Sequence, residues 1–449
     1  MTSAASLLRL AGSVLIGQLA LIGFGVADTM MLGRDSAASL SVLAVAQAVF
    51  IPLSLALSGV MQALIPRVGQ HFGAGRALDV GHTFRQGLWL ALGLTVVGLP
   101  PLLWPQSLLT IAGLSRDHDV LRYLGWLAAA LPANLLFRAY SATNQGLSRP
   151  WAAARLQLLA LAVKIGLNAA LINGLQFGDL RIAAQGAVGC AAATAVVSWI
   201  LLGLGWLDLG ASRSLRPYAM LRGWERPHPP TLLALLRLGA PIGLSLLIEV
   251  SAFTLMALFI ARLGDTVLAG HQITANFGTV LYMLPLSISI AAGAVVAQHL
   301  GAGHAVAARR AGALAIGLSA TLSAALGLAV WLLRAPIVAL YTHDAAVAAV
   351  AQHLFLFIAF AQLFDAVQVT SAFVLRAYHI AVIPTLLYGV MLWGVGLAGG
   401  YALAFDTTGL TPRWLQGAAG FWFGNSTGLS LAALGLLLLF AKASRSPAS

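Results

Sequence analysis

Apolar windows about 20 residues long recur roughly every 35 to 40 positions along this chain, separated by short stretches rich in Arg, Asp, Gly and Pro. A helix of that length crosses a hydrocarbon core of about 30 Å. Twelve such windows are present, at approximately 10–33, 41–66, 87–111, 121–145, 153–174, 184–207, 236–261, 268–296, 310–333, 347–374, 381–404 and 418–440. The pattern predicts an all-α polytopic membrane protein with twelve transmembrane helices. Pro52, Pro132 and Pro285 fall inside spans, and Gly23 with Gly25 loosens the first. Both residue types are frequent in membrane helices, so functional bends and ordinary packing positions are both open readings.

Composition agrees. Of 449 residues, 60% are hydrophobic and 8% charged, and the mean hydropathy is +0.90. A soluble domain carries about a quarter charged residues, so an ordinary water-soluble globule and a disordered chain are both excluded. The formal net charge of +12 raises the question of nucleic acid. Only two of the 25 basic residues are lysines, however, and the arginines stand singly between apolar runs rather than forming a stripe, so no nucleic-acid partner is expected. Their sidedness explains them better. Counting alternate loops, sixteen fall on one side and seven on the other, with Arg138 and Lys164 inside spans. The positive-inside rule then places both termini in the cytoplasm. The apolar run after Arg9 continues to about Gly33 without a small-residue cleavage site, so it reads as the first span and not as a secretion signal. The single cysteine, Cys190, lies among Ala and Val and reads as packing.

The chain repeats itself. GQHFGAGR (Gly69–Arg76) after the second span returns as AQHLGAGH (Ala297–His304) after the eighth, 228 residues later. Phe137 and Arg149 near the end of the fourth span are matched by Phe364 and Arg376, 227 residues later. Two matches in nearly one register predict two copies of a six-helix unit. An even span number gives both copies the same orientation, with their axis along the membrane normal and a central cleft between them. The expected division is a lobe at 1–208, a polar cytoplasmic linker at 209–231 with Pro227, Pro229 and Pro230, and a lobe at 232–449.

Ten of the thirteen acids lie in loops or at span ends, and three do not: Asp28 in the first span, Glu249 in the seventh and Asp365 in the tenth. A carboxylate at the centre of a spanning helix costs about 3 kcal/mol even on the lenient insertion scale. Three such residues cost a sum comparable to the stability of a whole domain. They are therefore expected to face a wet cavity, where a proton or Na⁺ can neutralise them and shift a conformational equilibrium. The bland alternative is a protonated carboxyl bonded to a neighbouring helix. Arg138 and Lys164 also have two readings. Each can snorkel to the cytoplasmic face, or Lys164, with Asn168 one turn on, can point at Asp28 and hold it ionised.

Elimination narrows the chemistry. Neither lysine stands in a Gly-Lys-Ser/Thr word, so no nucleotide motor is present, and HExxH and Cys-rich metal motifs are absent. GNSTG (Gly424–Gly428) has the form GxSxG but lies in a membrane helix, away from the strand-turn-helix that a nucleophile elbow needs. No enzyme is expected. Most histidines lie in or beside loops. Trp104, Trp151, Trp393, Trp414 and Trp422 suit interfacial belts. Tyr282, Tyr378, Trp393 and Phe364 are candidates to offer aromatic faces to an organic cation, each contact worth roughly 0.5–2 kcal/mol.

Together, VADTMMLG, PRVGQHFGAGR, AQHLGAG, APIGLSLLIEVSAFTLMALFIARLG, AGHQITANF and FDAVQVTSAFVLRAY, in this order on twelve spans, resemble the MATE multidrug and toxic-compound extrusion transporters, closest to their NorM-like bacterial branch. The resemblance covers nearly the whole chain. It implies a secondary antiporter that exports amphipathic, often cationic, compounds against inward Na⁺ or H⁺ by alternating access. It makes Asp28 the first-lobe acid and Glu249 with Asp365 the second-lobe cation site, with Na⁺ or H⁺ as coupling ion and no resident cofactor. Two positions depart from the pattern. Lys164 stands where NorM-like members carry Asn, leaving Asn168, and Ala361 stands where sodium-coupled relatives carry Tyr. Both leave the coupling ion open, and the second weighs against Na⁺. The expected working form is a monomer in contact with membrane lipid. The rivals are a flippase for lipid-linked oligosaccharides or cell-wall precursors, which needs a large cationic groove, and a membrane receptor or assembly factor, which needs no buried acids.

Overall fold

The computed structural model describes the chain apart from residues 1–2, 112–116, 178–179, 224, 408 and 446–449; Arg116, counted above among the loop charges, lies outside the described residues. Among the described residues, twelve helices have the length and apolarity to cross a membrane: α1 Ala4–Asp35, α2 Ala37–Gly73, α3 Ala77–Leu103, α4 His118–Gly146, α5 Pro150–Asn173, α6 Gly186–Ala211, α7 Pro229–Ala261, α8 Asp265–Gly301, α9 Ala305–Leu332, α10 Ala345–Ala377, α11 Val382–Ala404 and α12 Ala418–Ala443. An α-helix satisfies its backbone N–H and C=O groups internally, which is what lipid demands of a spanning segment. Hydroxyls inside the spans follow the same economy. Thr95, Ser198, Ser289 and Ser426 each donate to the carbonyl four residues back, at 2.6–2.8 Å. Pro52, Pro132 and Pro285 lie inside α2, α4 and α8. A short antiparallel hairpin, β1 Leu175–Phe177 and β2 Leu180–Ile182, joins α5 to α6.

The repeated words have identical work to do. Gly75 (φ +71°) and Gly303 (φ +77°) end α2 and α8 in the left-handed conformation that a glycine adopts without strain. In each turn the next residue closes the same bond five residues back, Arg76 N–H to His71 O and His304 N–H to His299 O, both at 2.9 Å. The second matched pair corrects the register read from the sequence. Arg149 caps the start of α5, whereas Arg376 lies in the last turn of α10. The left-handed residues after α4 and α10 are Ser148 and His379, so the offset there is 231.

The chain forms two compact units, one of Ser13–Gly243 and one of Met1–Gly12 with Leu244–Ser449. These borders differ from a division at 209–231, and packing explains why. Leu7 and Ala11 at the start of α1 are buried in the core of the second unit. Gly239 and Gly243 of α7 press on α2 so closely that an added Cβ would stand 2.4 and 2.5 Å from the carbonyl oxygens of Val60 and Ala56.

The 209–231 segment is latched to α3, which begins ten residues before the apolar window at 87 because its first turns hold polar partners for this segment. His82, Arg85, Gln86 and Trp89 share one helix face. Arg85 donates to both Glu225 and the Ala219 carbonyl. His82 Nδ1 lies 2.8 Å from Glu225 Oε2, and Trp89 Nε1 donates to the Glu225 carbonyl at 2.8 Å. Gln86 donates to the Arg226 carbonyl at 3.0 Å and accepts from the His228 N–H at 2.8 Å.

In the second unit, residues Gly389–Gly399 of α11 form a π-helix packed on α12. Gly420, Gly424 and Gly428, spaced by four, give α12 a face without side chains. A Cβ on Gly424 would stand 2.6 Å from the Gly396 carbonyl oxygen, and one on Gly428 2.5 Å from that of Met391. GNSTG is thus part of a GxxxGxxxG packing face.

Gly424→Leu must displace backbone. It is expected to lower stability by about 1–3 kcal/mol or more, read as reduced thermal stability and monodisperse yield, while Gly317→Ala, whose site has open space, leaves both unchanged. The hydrogen bond from Arg85 holds the Glu225 carboxyl below its usual range, with His82 assisting. A depressed carboxyl stabilises the fold fully above its unfolded value of 4.5, and this contribution is lost as pH falls through the lower folded value. Glu225→Gln is therefore expected to lower Tm at pH 7, with the gap from wild type closing on acidification below about pH 4.5.

Candidate functional site

Asp28 is buried in the unit Ser13–Gly243, with 4% of its surface exposed. Lys164 from α5, itself 1% exposed, places Nζ 3.0 Å from Asp28 Oδ1. One turn further along α5, Asn168 donates to the same oxygen at 2.7 Å. The i, i+4 spacing puts both donors on one face of α5. Lys164 also donates to Thr194 Oγ1 at 2.5 Å and lies 5.8 Å from the centre of the Phe24 ring. The Cys190 thiol accepts a hydrogen bond from Tyr123 at 3.9 Å. Of the two readings for Lys164, the structure displays the inward one. The ammonium faces Asp28 and does not extend to the membrane surface.

Glu249 and Asp365 lie in the other unit, both half-buried and close enough to interact electrostatically. Asp365 Oδ1 accepts a hydrogen bond at 3.0 Å from Gln368, one turn along α10. Among the described residues, neither carboxylate has a basic group within ion-pair distance. The nearby cation is Arg376, 7% exposed, with its guanidinium 4.0 Å from the centre of the Phe373 ring. It interacts electrostatically with Glu249 and with the hydroxyls of Tyr282 and Tyr388. Those two tyrosines also stand within electrostatic reach of both carboxylates. The π-helix contributes Trp393, whose indole N–H donates to the carbonyl of Ile248, the residue before Glu249, at 3.2 Å.

Tyr282, Trp393 and Phe364, the neighbour of Asp365 in sequence, therefore accompany the acid pair. Tyr378 does not join them in this way. It caps the end of α10, packs on Phe440 and interacts with Arg309. Arg138 takes no part at Asp28 and lines a separate cavity with Ser141 and Gln157. Trp422, read as an interfacial anchor, is buried at 2% and donates to His271 Nδ1 at 3.2 Å. Trp104, Trp151 and Trp414 are exposed at 68%, 50% and 61%. Sequence reading missed Arg376, Tyr388 and Gln368. Arg376 was counted among the loop charges, and its signal was its place within the helical run that carries Asp365. Gln368 had the signal of i, i+3 spacing from that acid. An oxygen-rich group with two carboxylates and no fixed counter-ion suits a proton or a hard monovalent cation.

Twelve helices long and apolar enough to cross a membrane, in two units, define a multi-pass membrane protein. The MatE family model matches residues 14–170 and again 241–402, starts that differ by 227, so one sequence pattern underlies both halves. A probable multidrug resistance protein NorM of Aromatoleum aromaticum is 40% identical over 94% of this chain and 90% of its own length. The multidrug resistance protein NorM of Vibrio cholerae is 35% identical over 96% and 93%. The crystal structure of the eukaryotic MATE transporter AtDTX14 superposes with a TM-score of 0.83 at 20% identity, covering 98% of this chain and 97% of that one, and shows the same fold. The chain belongs to the MatE family.

Removing one partner of a buried pair leaves the other charge without compensation. Lys164→Met is expected to cost about 3–5 kcal/mol. Adding Asp28→Asn should recover much of that loss, so the double variant is more stable than the sum of the single ones. Additive losses in a thermal-denaturation cycle would show that the two side chains are not coupled.

Proposed function

We propose that this protein is a secondary antiporter of the bacterial inner membrane. It exports amphipathic, cationic organic compounds in exchange for inward Na⁺ or H⁺, with Glu249 and Asp365 as the exchangeable cation site. The observation that carries this reading is the contrast between the acids. Asp28 has a fixed cation at 3.0 Å, whereas Glu249 and Asp365 are half-buried together without one. A pair of carboxylates in that setting is stable when a mobile cation joins it, so occupancy by ion or by substrate selects the conformation. Tyr282, Trp393 and Phe364 supply apolar and π surface beside the charges, which suits a bulky organic cation. Relatives that carry multidrug resistance names over nearly the whole length support the cargo class.

In this reading the coupling ion loads at Glu249 and Asp365 from outside and weakens substrate binding. The reset form takes up substrate from the cytoplasm or inner leaflet, by alternating access. The termini lie in the cytoplasm, on the side with sixteen of the basic residues. The working unit is the monomer, and Lys164 stays paired with Asp28 while the second half exchanges its cation.

The test is export of a cationic dye from proteoliposomes with Na⁺ and pH gradients imposed separately. One of the two gradients is expected to drive flux, and Asp365→Asn or Glu249→Gln to reduce the driven component at least tenfold. Flux indifferent to both gradients in the wild type would reject antiport.

A further inference from the structure

The 209–231 segment holds the densest group of basic residues in the chain: Arg213, Arg216, Arg222 and Arg226, all within fourteen positions. The acids that flank them are already engaged. Asp208 accepts hydrogen bonds from Tyr140, at 2.8 Å, and from Arg155. Glu225 accepts from Arg85 and lies 2.8 Å from His82. The four arginines themselves are exposed, and among the described residues none of them forms an ion pair with an acid.

The segment that carries them is a folded platform, held from four helices of the unit Ser13–Gly243. A 3₁₀ helix, Arg213–Tyr218, begins two residues after α6 ends at Ala211, and Leu215 and Met220 are buried beneath the surface. Arg149, at the start of α5, donates to Ser212 Oγ at 2.9 Å. Arg85 of α3 donates to the Ala219 carbonyl at 2.6 Å, and the Tyr218 ring meets Phe72 of α2 edge-on, with centroids 6.4 Å apart. In a 3₁₀ helix the side chains at i and i+3 eclipse, so Arg213 and Arg216 share one edge. Like charges aligned in this way repel, and an anion between them removes the repulsion.

The depth of the platform says what that anion is. Leu221 folds back on the last turn of α6, where a Cβ on Gly210 would stand 3.8 Å from Leu221 Cδ1, so Arg222 lies at the level where the span ends. Leu221, Leu207 of α6 and Trp151 of α5 are all exposed there. Apolar side chains next to guanidinium groups suit the boundary between acyl chains and headgroups, the first entering the chains and the second meeting the phosphates. A soluble anion would leave the exposed leucines without a partner.

We infer that Arg213, Arg216 and Arg222, with Leu207, Leu221 and Trp151, form a docking surface for anionic phospholipid headgroups of the membrane leaflet at the ends of α5 and α6. The planar fork of each guanidinium matches two phosphate oxygens, and an anionic lipid adds the net charge that a zwitterionic one lacks. The inference does not depend on the proposed antiport, because lipid binding is read without flux.

The experiment titrates purified full-length protein in uncharged detergent with dihexanoyl phosphatidylglycerol, dihexanoyl phosphatidylcholine or glycerol 3-phosphate at equal ionic strength, and follows thermal stability. Phosphatidylglycerol is expected to raise Tm saturably, by several degrees, at concentrations at least tenfold below those that phosphatidylcholine needs, and the preference should vanish near about 1 M salt, where charges are screened within a few ångströms. Replacing Arg213, Arg216 and Arg222 together by Gln should abolish the preference and leave Tm without lipid unchanged, whereas replacing all three by Lys, which keeps the charge, should retain part of it. The single variants Arg213→Gln and Arg222→Gln should each weaken the phosphatidylglycerol response about fivefold, which keeps the test decisive if the triple Gln variant fails to fold. A wild type that does not distinguish the two lipids overturns the inference. So does a preference that survives in full in the Gln variants, or a response to glycerol 3-phosphate as strong as that to the lipid, which would assign the arginines to a soluble anion.

Discussion

A carboxylate inside a membrane span must be matched by positive charge, and the two units of this protein meet that demand differently. In Ser13–Gly243 the match is covalently part of the chain: Lys164 stands 3.0 Å from Asp28, and Asn168 donates to the same oxygen. Around Glu249 and Asp365 it is not. Gln368 donates one hydrogen bond to Asp365, while Arg376 acts on Glu249 from beyond ion-pair distance. A fixed ammonium and a mobile cation satisfy the same electrostatics with opposite kinetic consequences. The first holds a site in one charge state, and the second lets the charge change whenever the ion leaves.

The rest of each unit is arranged so that such acids can be tolerated. Long helices satisfy their own backbones, and hydroxyls bond back to the preceding turn. Where the packing is closest, side chains are absent. The glycine face of α12 takes the backbone of α11, whose π-helical stretch contains Trp393 and brings its indole to the carbonyl beside Glu249. Helix geometry, close packing and the surroundings of the acid are thus one connected arrangement within this unit. π-Helical segments recur at functional sites, where the extra residue per turn re-aims side chains.

Much of this was legible in the chain. The twelve spans followed from apolar length alone, and the three acids stood out because nothing else in a span costs as much. Asn168 and Lys164 were readable as partners of Asp28 from their i, i+4 spacing, but a lysine stem is long enough to reach either the membrane surface or a buried acid. Only the packing of α1 against α5 decides between those outcomes. Arg376 was hidden by its position near a span end, where arginines usually serve topology. Trp422 was hidden because an indole near a helix start suits an interface as well as it suits a histidine partner on another helix. The π-helix has no sequence period of its own, and its glycines read equally as ordinary small-residue packing. The borders of the compact units were invisible for a related reason. Hydropathy marks where a helix crosses the membrane and not which neighbours its turns pack against, so Leu7 and Gly243 could be assigned to a unit only from contacts.

The repeat then acquires a physical meaning beyond ancestry. The family pattern matches each half, and the glycine turns after α2 and α8 close with the same bonds, so the backbone is the conserved currency of the two copies. Charge is not. Inside the spans, one half carries an acid with its own lysine; the other carries two acids that, among the described residues, have no basic group within ion-pair distance. Had both halves held carboxylates without fixed cations, each would bind and release ions independently, and the field in one would change with the occupancy of the other. In the proposed antiport a mobile cation would act at Glu249 and Asp365 alone, since Asp28 already has Lys164 at 3.0 Å. A duplicated fold can divide labour in this way because a few side chains set its electrostatics.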